Sequence, residues 1–189
     1  MKTISLLIAV VAIIFATPGN AQEFKANTAK STIKWEGKKI GGAHDGHISL
    51  KEGTFTVKNN QITSGTFVID MNSMTNDDIE SDEYRGKLIG HLKSDDFFGV
   101  NKYPTAKLVI TKSGKFKNNA ATVTGDLTIK GKTLPIEFEV KRSNKTYISM
   151  LTIDRAKYDI RYGSKSFFDN LGDKVIYDDF TLEINLVVQ

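Results

Sequence analysis

Three histidines and no cysteine limit what this chain can do chemically. His44 and His47 stand as His-x-x-His, a spacing that invites a metal. Zinc asks for three or four ligands in tetrahedral array, and the remaining histidine, His91, lies far along the chain, so a polar loop is expected and no metal site. The acidic run Asp77, Asp78, Glu80, Asp82 and Glu83 lacks the glycine and terminal glutamate of a calcium loop; it reads as the solvated entrance to a helix. Gly163-Ser164-Lys165-Ser166 lacks the second glycine that a nucleophile elbow requires. Lys130-Gly131-Lys132-Thr133 has the end of a phosphate-binding loop without its upstream glycines and leads into a hairpin. Asn144-Lys145-Thr146 is a formal glycosylation sequon. His91, Asp95 and Asp154 remain as groups for acid–base work at one site if the fold unites them. No cofactor is expected.

The elements that would position these residues are almost all strands. Ile33 and Trp35 alternate with Thr32, Lys34 and Glu36, the period of a strand with one buried face. A glycine-rich loop (Gly37, Gly41, Gly42, Gly46) with His44 and His47 is expected next. Then come strands over Thr54–Val57 and Gln61–Met71, joined by Asn59-Asn60, since asparagine tolerates the left-handed conformation of a tight hairpin turn. Gly65 and Gly125 mark bulges or bends. Ala106, Leu108 and Ile110 define the next strand, Asn118-Asn119 turns the chain, and Val123, Leu127 and Ile129 share a face. Lys130-Gly131 turns into Leu134, Ile136, Phe138 and Val140, and Asn144-Lys145 into Tyr147–Ile153. There the parity slips from Leu151 and Ile153 to Tyr158, Ile160 and Tyr162, which predicts a bulge near Arg155-Ala156. The last strand places Phe180, Leu182, Ile184, Leu186 and Val188 inside.

One segment, Tyr84 to Pro104, reads otherwise. Tyr84, Leu88 and Leu92 recur every four residues on one helical face. Ser81 is a fair N-cap, with Asp82 and Glu83 in the first turn and Lys87, His91 and Lys93 late, as the helix dipole favours. Gly86 and Gly90 each cost about 1 kcal/mol relative to alanine, so the helix must dock on something. Two aromatic pairs, Phe97-Phe98 here and Phe167-Phe168 in a later loop, suit a plug over one end of a barrel.

Met1-Lys2 followed by the apolar run Ile4–Ala16 and the small residues Gly19-Asn20-Ala21 reads as a secretory signal peptide cut after Ala21. Residues 22–189 then form one domain, exported, soluble and periplasmic. Disulfides are excluded, and the formal charge of +4 is a modest solubility charge. No Lys/Arg stripe with interleaved aromatics appears, so nucleic acid is not an expected partner. Glu137, Glu139, Lys141, Glu183 and Asn185 on the outer face would be costly in lipid, which argues against a membrane barrel.

These motifs resemble the YceI-like family of exported lipid-binding proteins. The likeness is carried by Trp35-Glu36-Gly37, His91-Leu92-Lys93-Ser94-Asp95-Asp96-Phe97-Phe98, Lys102-Tyr103-Pro104, Gly125-Asp126-Leu127-Thr128-Ile129-Lys130-Gly131 with Pro135, and Ile153-Asp154-Arg155. The resemblance implies an all-β fold, an extended lipocalin-like eight-stranded antiparallel barrel with a short helix/loop plug. It implies no catalytic residues and a pore holding a polyisoprenoid, quinone-like or other long-chain amphiphilic lipid, bound, stored or carried in the cell envelope with transient membrane contact. The inward apolar faces then nominate Trp35, Phe55, Phe67, Ile69, Phe97, Phe98, Leu108, Ile110, Leu127, Ile129, Phe138, Leu151, Phe167, Phe168, Phe180 and Leu182 for the pore. His91 and Arg155, with Tyr103 and Tyr158, are the head-group candidates. An envelope lipid-modifying enzyme using His91, Asp95 or Asp154, and a stress-response adaptor without ligand, are the other readings.

Overall fold

Asparagine and lysine–glycine pairs set the hairpins. Asn59 and Asn60 have φ of 51° and 61°, Asn118 and Asn119 of 49° and 62°, and Lys130-Gly131 of 49° and 77°. Two consecutive positive values give the turn whose twist matches that of the flanking strands. The computed structural model describes residues 20–189; the signal peptide expected at 1–21 lies, but for its last two residues, outside the described residues. The described strands are β1 (Gln22–Lys25), β2 (Thr32–Lys39), β3 (Gly42–Lys58), β4 (Gln61–Asp70), β5 (Thr105–Ser113), β6 (Ala120–Ile129), β7 (Lys132–Ser143), β8 (Thr146–Asp154) and β9 (Ile176–Val187).

From β2 to β9 each strand pairs antiparallel with its successor, and β9 pairs back onto β2, closing an eight-stranded barrel. β1 lies outside this circuit in sequence but extends it in space. It pairs with the far half of β3, and Ala26 bridges to Val188. The break between β1 and β2 is bridged by Ser31, whose Oγ donates to Asn27 O and accepts from Val187 N–H. The ladder therefore continues through a side chain.

Three expectations change. The glycine-rich segment after Trp35 is no loop: only Ile40-Gly41 turns, and residues 42–58 form one long strand. Its burial alternates through Gly46, Ile48 and Leu50, then changes phase to Gly53 and Phe55, because the register against β4 skips Lys51. That extra residue kept the second half of the strand from being read as continuous with the first. Likewise, the slip after Ile153 is an ending, not a bulge. Asp154 accepts a hydrogen bond from Ala156 N–H, residues Arg155–Tyr158 make a 3-10 turn, and Asp159 is left-handed at φ 61°. Tyr158, Ile160 and Tyr162 thus lie in a connection. Thirdly, helix α1 (Asp82–Lys93) has the predicted N-cap, Ser81, but Tyr84 is exposed. Leu88, Ile89 and Leu92, half-buried, form the face that docks.

The wall has one seam. β7 and β8 pair at Lys141–Ile148, Arg142–Tyr147 and Ser143–Thr146, beside their turn, and separate beyond it. Ile129 and Lys132 flank the two-residue turn into β7. In that register Thr133, Pro135, Glu137 and Glu139 present their backbone toward β8. Pro135 has no N–H to offer, which suits a strand that is an edge along this stretch. Ser149 Oγ reaches across to donate to Glu139 O at 2.6 Å.

Candidate functional site

The inward row of β9 shows that the barrel is hollow. Phe180, Leu182, Ile184 and Leu186 point to the axis, yet each is only half-buried. Across from them the walls do not meet, leaving a cavity of about 400 Å³. Along the strand this row spans about 20 Å at 3.4 Å per residue. The opposite wall carries glycines where neighbouring side chains crowd in. Ile110 sits between Gly65 on β4 and Gly125 on β6. A Cβ on Gly65 would come within 3.0 Å of Ile110 and Phe55, and one on Gly125 within 2.9 Å of Leu108. The register shifts beside Gly125, between Ile110 and Lys112, as a bend there requires.

Aromatics seal the far end. Phe24 stacks on Phe55 with centroids 5.2 Å apart, Tyr147 meets Phe55 edge-on at 4.8 Å, and Phe116 stands 6.3 Å from Tyr147. Trp35, Phe97, Phe98 and Phe180 ring the near end. Phe97 is buried, 5.3 Å from His91, 5.8 Å from Phe98 and 6.2 Å from Tyr162. Above this collar the cavity reaches the surface between the tips of β2 and β3, the start of β9 and helix α1. Lys38, Lys39, His44, Leu88, His91, Tyr162 and Tyr177 line that mouth.

Among the described residues no carboxylate lines the cavity, whereas Lys38, Lys39, His44, His91 and Arg155 do. His44 is tied down: its Nδ1 lies 2.7 Å from Asp78 Oδ2, and Asp45 N–H donates to Asp78 Oδ1. Burial works to raise the Asp78 pKa, but hydrogen bonds from His44, the Asp45 amide and Asn76 win and hold it at about 2. His47 and Asp77 make a second such pair at 2.6 Å. Together with Trp35 Nε1 donating to Thr75 O, these contacts strap residues 75–78 along β3. The His-x-x-His spacing therefore serves two carboxylate contacts, and no group of three metal-ligating side chains occurs among the described residues.

Fourteen of the sixteen expected pore residues line the cavity: all but Phe167 and Phe168. Those two stand exposed on the 155–175 connection, where the chain turns tightly over the Ser164 carbonyl. The head-group candidates separate too. His91 is at the mouth. Arg155 borders the cavity but is buried, with Nε donating to Tyr177 O (3.2 Å), Nη1 to Ile160 O (2.8 Å) and Nη2 to Ile176 O (3.0 Å). Burial lowers its pKa, opposed by Asp178 and Asp154. Three of its five N–H groups hold the connection against the start of β9. Tyr103 packs on Gly131, and Tyr158 is buried with its hydroxyl unpartnered among the described residues; neither lines the cavity. His91, Asp95 and Asp154 are not joined: Asp154 caps the turn at Ala156, and the Asp95 backbone accepts from Lys130. Sequence reasoning passed over Lys38, Lys39 and Tyr177. Their signal was position alone, at the tips of two paired strands beside an opening.

A YceI-like domain model matches residues 24–188. A UPF0312 protein from Shewanella denitrificans is 26% identical over 127 residues, 66% of this chain and 64% of that relative's length. Among solved structures, Burkholderia cenocepacia BcnA superposes with a TM-score of 0.68 at 22% identity, covering 87% of this chain and 99% of BcnA. A polyisoprenoid binding domain from Saccharophagus degradans, implicated in plant cell wall breakdown, gives 0.57 at 15% identity over 88% of this chain and 97% of the domain. The two solved structures share the fold.

Proposed function

The chain belongs to the YceI-like family, and on that premise we propose that it binds a long-chain amphiphilic lipid, a polyisoprenoid or quinone-like molecule, inside the barrel and carries it without chemical change. The observation that carries this reading is the open apolar lumen: inward side chains left half-buried around about 400 Å³. The Saccharophagus domain, a polyisoprenoid binder, supports the ligand class. Each methylene moved from water into such a lumen is worth about 0.8 kcal/mol, so ten contribute roughly 8 kcal/mol gross. Ordering and association costs reduce this, but no polar contact is required for useful affinity. Polar groups at the mouth orient the ligand. Lys38, Lys39 and His91, with no carboxylate among the lining residues, suit a head group that is anionic or rich in acceptors.

The same reading places the protein in the cell envelope after removal of residues 1–21, with 22–189 as one carrier domain. Native mass spectrometry on protein purified without detergent tests it. A bound species of defined lipid mass, or uptake of an added long-chain isoprenoid, is the expected result. An empty protein that takes up neither isoprenoid nor quinone sinks it.

A further inference from the structure

All long connections of the barrel lie at one end. β2, β4, β6 and β8 finish there, so the Ile40-Gly41 turn, residues 71–104, the Lys130-Gly131 turn and residues 155–175 surround the mouth. Eight large apolar or aromatic side chains stand exposed among the described residues. Six of them, Ile40, Tyr84, Tyr162, Phe167, Phe168 and Tyr177, belong to this end, and Ile148 and Met150 to the wall. That bias is not what scattered surface apolars would give.

The outward rings are held in place. Ser164, fully buried, accepts at its carbonyl from Phe167 and Phe168 N–H, and its Oγ accepts from Ser166 N–H. Ser166 Oγ in turn donates to Asp178 on β9 at 2.6 Å. Ile40 N–H donates to Val175 O, which ties the β2–β3 tip to the same connection. Around these apolar side chains Lys39, Lys165 and Lys174 are exposed and belong to no ion pair among the described residues; Asp169 and Asp173 oppose them only in part. On the far side of the mouth, Asp77 and Asp78 are engaged by His47 and His44.

We propose that this rim docks on an anionic lipid bilayer, with Ile40, Phe167, Phe168 and Tyr177 seated at the headgroup–acyl boundary and Lys39, Lys165 and Lys174 over the lipid phosphates. Aromatic side chains favour that boundary, and lysines beside it are drawn to anionic lipid. The cavity mouth then faces the bilayer, so a lipid passes between membrane and lumen without crossing bulk water. That consequence rests on the lipid-carrier reading; the docking itself rests on the rim alone.

The test is co-sedimentation of the protein with vesicles of phosphatidylglycerol in phosphatidylcholine, and of phosphatidylcholine alone. Binding to the anionic vesicles that weakens with salt is expected, falling about tenfold or more in the double variant Phe167→Ser, Phe168→Ser. The triple variant Lys39→Glu, Lys165→Glu, Lys174→Glu should fall likewise, while Ile148→Ser, Met150→Ser on the wall binds as the parent does. All these positions are exposed, and a thermal melt confirms folding. No binding by the parent, equal binding by the rim variants, or equal loss in the wall variant overturns the proposal. So does a parent that self-associates through the rim in sedimentation velocity and ignores vesicles. Native mass spectrometry reads lumen occupancy separately: a loaded protein that does not dock refutes the rim alone, and an empty one that docks refutes the carrier alone.

Discussion

Arg155 shows how much one buried side chain can organise. Its guanidinium gathers the carbonyls of Ile160, Ile176 and Tyr177 and lies 3.4 Å from Asp178, so one side chain joins the 155–175 connection to the start of β9. Replacing it by methionine takes the guanidinium donors from three carbonyls and leaves the buried Asp178 Oδ1 without its ion-pair partner. The expected loss is roughly 3 kcal/mol in urea denaturation. Lysine should recover little of it, since one ammonium cannot span the three acceptors. Asp78 gives a pH dependence of definite sign. Its folded pKa, about 2, lies below the ordinary 3.8, so its contribution is fully present above the ordinary value and is lost as pH falls through 4 toward 2. Melts across that window should show Asp78→Asn less stable than the parent near neutrality, with the gap closing in acid. A constant gap would mean the carboxylate is not what holds the strap.

At the scale of elements, α1 is the least committed part of the molecule. None of its residues is fully buried. It is held mainly by Arg85 Nη1 donating to Ile79 O and Lys93 Nζ donating to Asn72 O, with Leu88 and Leu92 facing the cavity. A Cβ at Gly86 or Gly90 would meet nothing within 4 Å. The double variant Gly86→Ala, Gly90→Ala should therefore stabilise the helix by about 1 kcal/mol per site. Amide hydrogen exchange in α1 should slow accordingly. If opening of this helix admits the ligand, lipid uptake slows with it; unchanged uptake would move the entry route elsewhere. The β7–β8 seam belongs at the same scale. Proline at 135 and the side-chain contact from Ser149 stand where ladder bonds run between the other strands.

For the molecule as a whole, the question is what occupies the lumen. Ile184 lies between Ile33 on β2 and Ser149 on β8 and points into open space. Ile184→Trp should occupy part of that space at a cost below about 1.5 kcal/mol, because no close-packed neighbour has to move. Lipid occupancy in native mass spectra should fall sharply while the melting temperature of the empty protein holds. A tryptophan variant that binds as well as the parent would show that the ligand sits elsewhere. Conversely, lipid added to emptied parent protein at 100 times its Kd should raise stability by about 2.7 kcal/mol.

The hairpins, the walls and the helix cap follow from local chemistry along the chain. Asn59-Asn60, Asn118-Asn119 and Lys130-Gly131 announce turns because few other residues accept positive φ, and Phe180 to Leu186 announce a wall because alternate side chains face opposite sides. Ser81 and the acidic first turn of α1 were legible for the same local reason. The family motifs added the closed barrel. What alternation does not contain is whether opposing walls touch. That depends on strand number and stagger, and here it left about 400 Å³ open. Nor does it contain the path of a long connection. Arg155 reads as a head-group residue from the family-like motif it stands in, and Phe167 and Phe168 read as parts of the pore from their aromatic pairing. The fold turned the first into a clasp, through carbonyls up to 22 residues away in sequence, and set the other two at the rim. Strand periodicity is a property of neighbours in the chain; enclosure and exposure are properties of residues distant in it, and only the folded barrel brings those together.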